Sequence, residues 1–431
     1  MKKKILSILL STALISQIGM IPQTSAVYAG GGRRNVVQCT QSGDESRLSR
    51  VLPWVIGGTL TAAAGIVLHG LYHSRPDPAK PVPEPEPEKS PPVIRIQTVS
   101  KRIAEAKVIL NRYESLDTIP ADEVYQACNA VESVLRDEPS LLTRDGNFIV
   151  VGDLHSNFEA LLFVIRRFLA EALNGTQILF LGDYVDKGDE APGGPQGVKI
   201  VTLLFILKVM FPDQVFLLRG NHEDIQQNIM CGFYEECKKK YDGVDVSGTQ
   251  YVRLNQYFGE NDTVTGTKVY DRINSVFNNL SLAAVINGST FCVHGGISPE
   301  IMSDFRLIES ISKPLVSFDR GGESPLGRNK LAMDLLWSDP KDDVTKFEFN
   351  APRESGQFFG PSQVDDFLSA HNFKCIFRAH QMATDGYNDV FGDSHIFTLF
   401  SAPNYGGAKN QGAMGIINVR SMRFKRFSNT V

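Results

Sequence analysis

Five short apolar runs in this 431-residue chain each end on a residue type that binds metals. They are Phe148–Asp153, Ile178–Asp183, Val215–His222, Phe291–His294 and Cys375–His380. A β-branched or aromatic run that closes on glycine and a polar residue is typical of a buried strand leading into a loop. Ligands of open α/β sheets bind beyond the carboxyl ends of the strands. We therefore expect the five ends to meet in one polar cluster.

The residue types at these ends favour a pair of metal ions. The runs deliver carboxylates, an amide and imidazoles: Asp153, His155, Asp183, Asn221, His222, His294 and His380. Such donors suit Mn, Fe or Zn, and the absence of a thiolate among them disfavours a closed structural zinc site. Paired cations ionise a water and clamp phosphoryl oxygens. The pattern predicts a two-metal hydrolytic site.

In this order the motifs resemble the phosphoprotein phosphatase family of serine/threonine phosphatases, within the calcineurin-like metallophosphoesterases. The resemblance spans residues 98–419. It includes three strings outside the ligand motifs, Gly232–Cys237, Leu335–Pro340 and Leu399–Tyr405, which are similar to the type-1 and type-2A branch. The family resemblance implies hydrolysis of phosphoserine and phosphothreonine in proteins by a hydroxide that bridges two divalent or trivalent metal ions.

The resemblance also implies which residues hold the two ions. The first metal would be held by Asp153, His155 and Asp183. The second metal would be held by Asp183, Asn221, His294 and His380, so that Asp183 is the shared ligand. Mn is the preferred metal, with Fe or Zn as alternatives.

Seven further residues receive catalytic roles from the resemblance. His222 would protonate the leaving oxygen, and Asp186 would orient His222 and raise its proton affinity. Arg219 and Arg353 would clamp the phosphate, because a guanidinium binds phosphate in a bidentate manner. The remaining three, which would lie close to the phosphate and the metals, are Lys187, Asp339 and Tyr405.

Three positions depart from the family pattern. Lys187 stands where the family usually has arginine, which predicts weaker phosphate binding. Ser156 replaces a glycine after the first histidine of the motifs, and it costs ~1 kcal/mol if that turn requires a positive φ. Gly406 stands where several relatives carry a cysteine, so thiol-directed toxins should not attach there covalently. All expected metal ligands are present.

Alternating strand and helix patterns predict an α/β fold. We expect a metallophosphoesterase-type β-sandwich flanked by helices, with the two-metal site at the carboxyl ends of the strands. Residues 98–431 would form the catalytic domain. Helices are predicted for residues 98–142, 158–173 and 197–211 from apolar residues at helical spacing. Late strands, His395–Ala402 and Met414–Val419, would supply the second sheet.

The first hundred residues have a different composition. Residues 1–29 resemble a signal peptide, with Lys2–Lys4 before an apolar run. Residues 51–72 carry no acidic or basic side chain other than His69 and could form a transmembrane helix that tethers the protein, or a helix lying on the membrane. Residues 73–97 alternate proline with charged residues, which predicts an extended linker.

These segments predict a membrane location, with the catalytic domain on the cytosolic face or, alternatively, exported. The six cysteines show no disulfide spacing, which favours the cytosolic face. A net charge of −4 argues against nucleic acid as a partner. The predicted partner is a phosphoprotein substrate, and the sequence indicates no particular regulatory subunit.

Two other functions are compatible with the same motifs. A relative of these phosphatases could hydrolyse dinucleoside polyphosphates, because the motifs specify the reaction centre rather than the leaving group. A weak scaffold that binds phosphoproteins through a degraded site would account for Lys187 and Ser156. The helical stretch 224–241 and the string 336–340 favour protein substrates.

Overall fold

The computed structural model describes residues 99–241, 265–317 and 324–428. The signal-like segment 1–29, the candidate membrane helix 51–72 and the linker 73–97 lie outside the described residues. The described part contains ten named α-helices: α1 Val99–Ser115, α2 Ala121–Asp137, α3 Phe158–Glu171, α4 Gly197–Met210, α5 Ile225–Cys231, α6 Phe233–Tyr241, α7 Thr265–Phe277, α8 Pro325–Arg328, α9 Lys330–Trp337 and α10 Pro361–His371.

Fourteen strands alternate with these helices in the described residues. The first seven are β1 Leu141–Arg144, β2 Phe148–Val151, β3 Gln177–Phe180, β4 Val215–Leu217, β5 Ala283–Ile286, β6 Thr290–Val293 and β7 Asp339–Pro340. The others are β8 Glu348–Phe349, β9 Gln357–Phe359, β10 Cys375–Arg378, β11 Tyr387–Asp389, β12 Ile396–Leu399, β13 Gly412–Asn418 and β14 Ser421–Phe427.

The strands form two large sheets and one small sheet. The five-stranded sheet has the order β14-β13-β2-β3-β4, and the six-stranded sheet has the order β1-β5-β6-β10-β12-β11. Strands β2, β3 and β4 are parallel, and so are β6, β10 and β12. The five ligand-bearing runs therefore supply three strands of one sheet and two of the other, and within each sheet they run in the same direction.

Alternating side chains show how the sheets stack. Phe148 and Val150 of β2 pack in a core shared with the six-stranded sheet, whereas Ile149 and Val151 pack in a core shared with helices α1 to α4. Because successive side chains of a strand point to opposite faces, both faces of β2 are covered and the whole run is apolar. The outer face of the six-stranded sheet packs against α9 and α10. The predicted sandwich flanked by helices is confirmed.

The predicted helices are present, but the late strands are not paired as predicted. Strand β12 lies beside β10 in the six-stranded sheet, whereas β13 lies between β2 and β14 in the five-stranded sheet. The two strands thus belong to different sheets instead of forming a second one together. A strand's hydrophobic pattern gives its buried faces and does not identify its hydrogen-bonded neighbour.

The two large sheets approach closely at the edge that carries the site. The backbone N–H of Gly152 donates to the hydroxyl of Ser401 at 2.9 Å, and Asp153 forms a parallel bridge with Phe400. A Cβ atom added to Gly152 would overlap the backbone carbonyl of Leu399. The absence of a side chain at this position therefore allows the end of β2, and Asp153 with it, to lie against the end of β12.

The structure corrects the prediction of a membrane location. Within the three described ranges, no helix is long and apolar enough to cross a bilayer. The most apolar helix, α4, has only 14 residues and contributes most of them to the core. A membrane span needs roughly 20 apolar residues. The tether predicted at residues 51–72 lies outside the described part of the chain.

We expect Gly152→Ala to lower the free energy of unfolding by about 1–3 kcal/mol, because the added methyl group must displace backbone atoms of β12. Denaturant unfolding of the purified protein measures this change. Val419→Ala is a suitable control, since Val419 is 69% exposed and surface changes of this kind usually alter stability by less than about 0.5 kcal/mol. An unchanged unfolding midpoint for Gly152→Ala would contradict the close approach of the sheets.

Candidate metal centre

The loop after β2 contributes the first group of candidate ligands. Nδ1 of His155 lies 3.2 Å from the carbonyl oxygen of Val185. A carbonyl oxygen only accepts hydrogen bonds, so Nδ1 carries the proton and Nε2 carries the lone pair. Burial lowers the pKa of His155, which keeps the ring neutral. Nε2 faces Oδ2 of Asp153 at 3.7 Å and Oδ2 of Asp183 at 3.6 Å.

The loops after β4, β6 and β10 contribute a second group. Nδ1 of His294 donates to the carbonyl oxygen of Leu181 at 2.9 Å, so its Nε2 is the lone-pair nitrogen. This Nε2 lies 2.8 Å from Oδ1 of Asn221 and 3.2 Å from Nδ1 of His380. Nδ1 of His380 is in turn 2.8 Å from the same Asn221 oxygen. Electron-rich atoms therefore converge here as well.

Asp183 lies between the two groups. Its Oδ2 faces His155, and its Oδ1 lies 3.4 Å from Nε2 of His294. Burial, together with the neighbouring carboxylate of Asp153, holds the pKa of Asp183 well above its usual range. A carboxylate with one oxygen toward each group has the geometry of a bridging ligand.

The charges and hydrogen bonds of these residues indicate whether metal ions fit this arrangement. Oδ2 of Asp153 is buried without a hydrogen-bond partner. Burial raises the pKa of Asp153 to about 7, and this effect outweighs the backbone N–H of His380 and the positive charge of Arg378, which lower it. Lone pairs that face one another in a buried site repel each other, and a cation between them removes that repulsion. The donor set thus fits two metal ions.

The loops that carry these residues adopt an unusual backbone conformation. Positive φ angles occur at His155 (39°), Asp183 (54°), Lys187 (57°) and His380 (69°). Left-handed backbone conformations at non-glycine residues are strained and concentrate at functional sites. Ser156 also has a positive φ, of 59°. The turn therefore has the left-handed conformation in which we expected serine to be less stable than glycine. The Ser156 hydroxyl partly offsets that cost by donating to the carbonyl of Asp186 at 3.1 Å.

His222 and Asp186 form a hydrogen-bonded pair beside the metal ligands. Nδ1 of His222 lies 2.7 Å from Oδ2 of Asp186. The Asp186 carboxylate also accepts from the amide of Asn228 at 2.8 Å and from the backbone N–H of Phe233 at 2.9 Å. Asp186 is therefore fixed on three sides and holds the imidazole in one orientation.

The expected rise in the proton affinity of His222 does not follow from this contact. Burial and the positive charges of Lys187 and Arg353 lower the pKa of His222 to about 3. Burial also raises the pKa of Asp186 to about 7. Desolvation therefore outweighs the attraction between the two partners, and the pair favours its uncharged forms.

Arg353 is held at the site through Asp339. Its Nε donates to Oδ2 of Asp339 at 3.0 Å, and its side chain remains 34% exposed. The other oxygen of Asp339 accepts from the buried Arg378 at 3.1 Å. The carboxylate of Asp339 thus fixes the inner edge of the Arg353 guanidinium. The outer nitrogens are directed away from this bond.

The structure corrects the role predicted for Arg219. The residue is only 1% exposed. Nε and Nη2 donate to the carbonyl oxygen of Glu223 at 3.1 Å and 2.8 Å, and Nη1 donates to that of Leu315 at 2.6 Å. These bonds tie the loop after β4 to residue 315. A buried arginine committed to backbone carbonyls cannot clamp a phosphate in the cleft.

The remaining candidates, Lys187 and Tyr405, lie at the mouth of the site. Lys187 is exposed. The ring of Tyr405 lies 4.9 Å from the ring of His155, and burial raises the pKa of the Tyr405 hydroxyl. Tyr405 therefore covers one side of the first ligand group. Except for Arg219, all the residues singled out from the sequence are brought to this cleft.

Two residues that support the site were missed by the sequence analysis. Glu223 is fully buried, and its carboxylate accepts the backbone N–H groups of Asp183 (2.8 Å), Tyr184 (2.9 Å) and Gly220 (2.8 Å). It therefore joins the loop after β3 to the loop after β4. Arg378 is the other, through its bond to Asp339. An acidic residue directly after His222 and an arginine two residues before His380 were the available signals.

We expect Glu223→Gln to weaken Mn²⁺ binding by ~10–100-fold, as is usual when a residue that orients metal ligands is changed. The amide of glutamine would place a donor against one of the three backbone N–H groups. Metal content after dialysis against buffered Mn²⁺ measures the effect. Glu235→Gln is the matched control, because the side chain of Glu235 is 68% exposed. Equal Mn²⁺ retention in both variants would contradict this role.

Comparisons with known proteins identify relatives of this chain. A sequence model described as calcineurin-like phosphoesterase matches residues 146–383. The serine/threonine-protein phosphatase 4 catalytic subunit of Eremothecium gossypii is 33% identical over 287 residues, which cover 67% of this chain and 78% of that protein.

Solved structures give a similar result for the fold. A serine/threonine phosphatase from Saccharomyces cerevisiae, with similarity to human phosphatase PP5, aligns with a TM-score of 0.57 at 24% identity and covers 72% of this chain and 90% of that one. The alignment with the cold-active protein-tyrosine phosphatase of a psychrophilic Shewanella species covers 69% of this chain and 83% of that one at 15% identity, with a TM-score of 0.43.

Proposed function

This chain belongs to the phosphoprotein phosphatase family of calcineurin-like phosphoesterases, and we propose that its two ligand groups form the centre that removes phosphate from serine and threonine residues of proteins. It is a metal-dependent serine/threonine protein phosphatase. The observation that carries the residue assignment is the Asp183 carboxylate, which presents one oxygen to the His155 group and the other to the His294 group.

The proposed metal ligands are the residues whose lone pairs converge. Asp153, His155 and Asp183 would hold one ion, and Asp183, Asn221, His294 and His380 would hold the other. Mn is our preferred metal, with Fe or Zn as alternatives. Two such ions, when bound, ionise the attacking water and neutralise charge on the phosphoryl oxygens.

His222 is the proposed general acid. Nδ1 is hydrogen-bonded to Asp186, so the proton for the leaving serine or threonine oxygen must come from Nε2. The side chain of His222 is 12% exposed, which leaves part of the ring accessible from the cleft. Asp186, held by Asn228 and Phe233, prevents the ring from turning.

Arg353 and Lys187 are the proposed phosphate-binding cations. Asp339 orients Arg353, so that its outer nitrogens can bind two phosphate oxygens at once. Lys187, in the loop after β3, offers a single positive charge. Tyr405 would limit the access of water beside His155. Arg219 takes no direct part, since its donors are occupied by backbone carbonyls.

We expect wild-type protein to hydrolyse a phosphothreonine peptide when Mn²⁺ is supplied, and Asp183→Asn to lose this stimulation, because an amide cannot bridge two cations with negative oxygens. Steady-state turnover measures both. Asp213→Asn, on an exposed loop, should behave as the wild type.

A diadenosine polyphosphate assayed in parallel serves as the competing substrate. Faster turnover of that compound than of the phosphopeptide would identify a nucleotide, and not a phosphoprotein, as the substrate. A wild-type protein inactive with Mn, Fe and Zn would favour a phosphoprotein-binding scaffold, and full activity of Asp183→Asn would reject the bridging role.

We expect His222→Ala to lower turnover by ~10²–10⁴-fold, the usual contribution of a general acid. Mn²⁺ should stay bound, because the His222 ring is not among the proposed ligands. Turnover and metal content are measured on the same preparation. Loss of both metal ions from this variant would contradict the assignment of His222 as the acid.

A further inference from the structure

Asn350 is a fully buried polar residue close in sequence to Arg353. It directly follows β8 and precedes the short turn Ala351–Arg353. A buried amide is unfavourable unless it is hydrogen-bonded, so the partners of Asn350 indicate what the residue contributes.

The side chain of Asn350 donates to Asp339. Its Nδ2 lies 3.0 Å from Oδ2 of Asp339 and 3.4 Å from the carbonyl oxygen of Trp337. A carbonyl oxygen only accepts hydrogen bonds, so the amide nitrogen, and not the amide oxygen, faces these groups. Oδ1 of Asn350 has no hydrogen-bond partner among the described residues. The side chain of Asn350 therefore serves as a donor, and Asp339 is its nearest acceptor.

Asn350 and Arg353 bind the same oxygen of Asp339. Nε of Arg353 donates to Oδ2 at 3.0 Å, while the other oxygen, Oδ1, accepts from Arg378 at 3.1 Å. A guanidinium often pairs with a carboxylate through two parallel bonds, one to each oxygen. Here Arg378 occupies one oxygen and Asn350 shares the other, which leaves Asp339 a single bond for Arg353. The Nη groups of Arg353 stay outside this bond and are free to bind phosphate.

The backbone of Asn350 holds the loop that carries Arg353. Its carbonyl oxygen accepts from the backbone N–H of Arg353 at 3.1 Å, and its N–H donates to the carbonyl oxygen of Gly356 at 3.1 Å. The turn Ala351–Arg353 contains no buried residue, so hydrophobic packing does not fix it. The position of Arg353 therefore depends on hydrogen bonds, and Asn350 makes them at both ends of the loop.

We propose that Asn350 is a positioning residue for Arg353. Its amide restrains the Asp339 carboxylate, so that Arg353 is held by its Nε edge and presents its Nη groups to the phosphoryl group of the substrate. This proposal rests on the proposed phosphatase function, in which Arg353 binds phosphate. Asn350 acts through Asp339 and Arg353 and does not itself contact the substrate.

The test compares wild type, Asn350→Ala and Asn350→Leu, each loaded with Mn²⁺. Both variants remove the amide donor, but leucine retains the branched shape of the asparagine side chain. We expect both to raise the KM for a phosphothreonine peptide and the dissociation constant of inorganic phosphate by about two- to tenfold, the contribution of a single hydrogen bond. The change in kcat should be smaller, since Arg353 binds phosphate in the ground state as well.

A role of Asn350 in packing alone predicts a different result. In that case Asn350→Leu would bind phosphate as the wild type does, and Asn350→Ala would lower only the free energy of unfolding. Asn274→Ala is the control, because Asn274 is a buried asparagine whose amide donates to the carbonyl oxygen of Tyr270 within α7. This control should leave KM unchanged. Circular dichroism and Mn²⁺ content verify that each variant is folded and loaded.

A double-mutant cycle tests whether Asn350 acts through Arg353. If it does, Asn350→Ala added to Arg353→Met should raise the dissociation constant of phosphate no further. An equal effect of Asn350→Ala with and without the Arg353 guanidinium would overturn the positioning role. Unchanged phosphate affinity in both Asn350 variants would overturn it as well.

The outcomes distinguish this proposal from the phosphatase function itself. Calorimetric titration with inorganic phosphate measures the role of Asn350 independently of turnover. A wild-type protein that binds phosphate but hydrolyses no phosphopeptide would reject the phosphatase function and leave the Asn350 comparison intact.

Discussion

The site depends on oxygen and nitrogen atoms with lone pairs that are buried and face one another. Backbone carbonyls fix the tautomers of His155 and His294, so the second nitrogen of each ring points toward carboxylate or amide oxygens. Asp183 lies between both groups, with one oxygen toward each. Such an arrangement is unfavourable by itself, and cations make it favourable. The fold therefore stores part of the free energy that metal binding releases, and the residues around Asp183 serve to keep these atoms together.

The surrounding structure opposes that repulsion with backbone hydrogen bonds and close packing. Glu223 accepts three backbone N–H groups and joins the loops that carry Asp183 and Asn221. Gly152 lets the end of β2, and Asp153 with it, lie against the end of β12. The strained left-handed residues persist because these contacts determine the loops completely. The same contacts thus contribute both to the stability of this edge of the sandwich and to the affinity of the site for metal ions.

The two arginines proposed from the sequence to bind phosphate differ in whether their donors are available. Arg353 is oriented by a single hydrogen bond from its Nε to Asp339 and is partly exposed. Arg219 has the right side chain and the right neighbours in sequence, yet its donors are used by carbonyl oxygens. The availability of hydrogen-bond donors, rather than the presence of an arginine, decides which residue can bind a phosphoryl group.

By itself the sequence determined the metal-binding residue types, the buried strands that carry them and the sandwich class, because a strand buried on both faces must be apolar and its ligand must follow at the end. It also indicated that Ser156 would be strained if its turn required a positive φ, a condition that only the structure could test. Only the tertiary structure decided that β12 and β13 enter different sheets and that the donors of Arg219 are occupied by backbone carbonyls. Those outcomes depend on which groups meet between separate segments of the chain, as between Arg219 and Leu315, 96 residues apart, and local patterns of hydrophobicity contain no information about such partners.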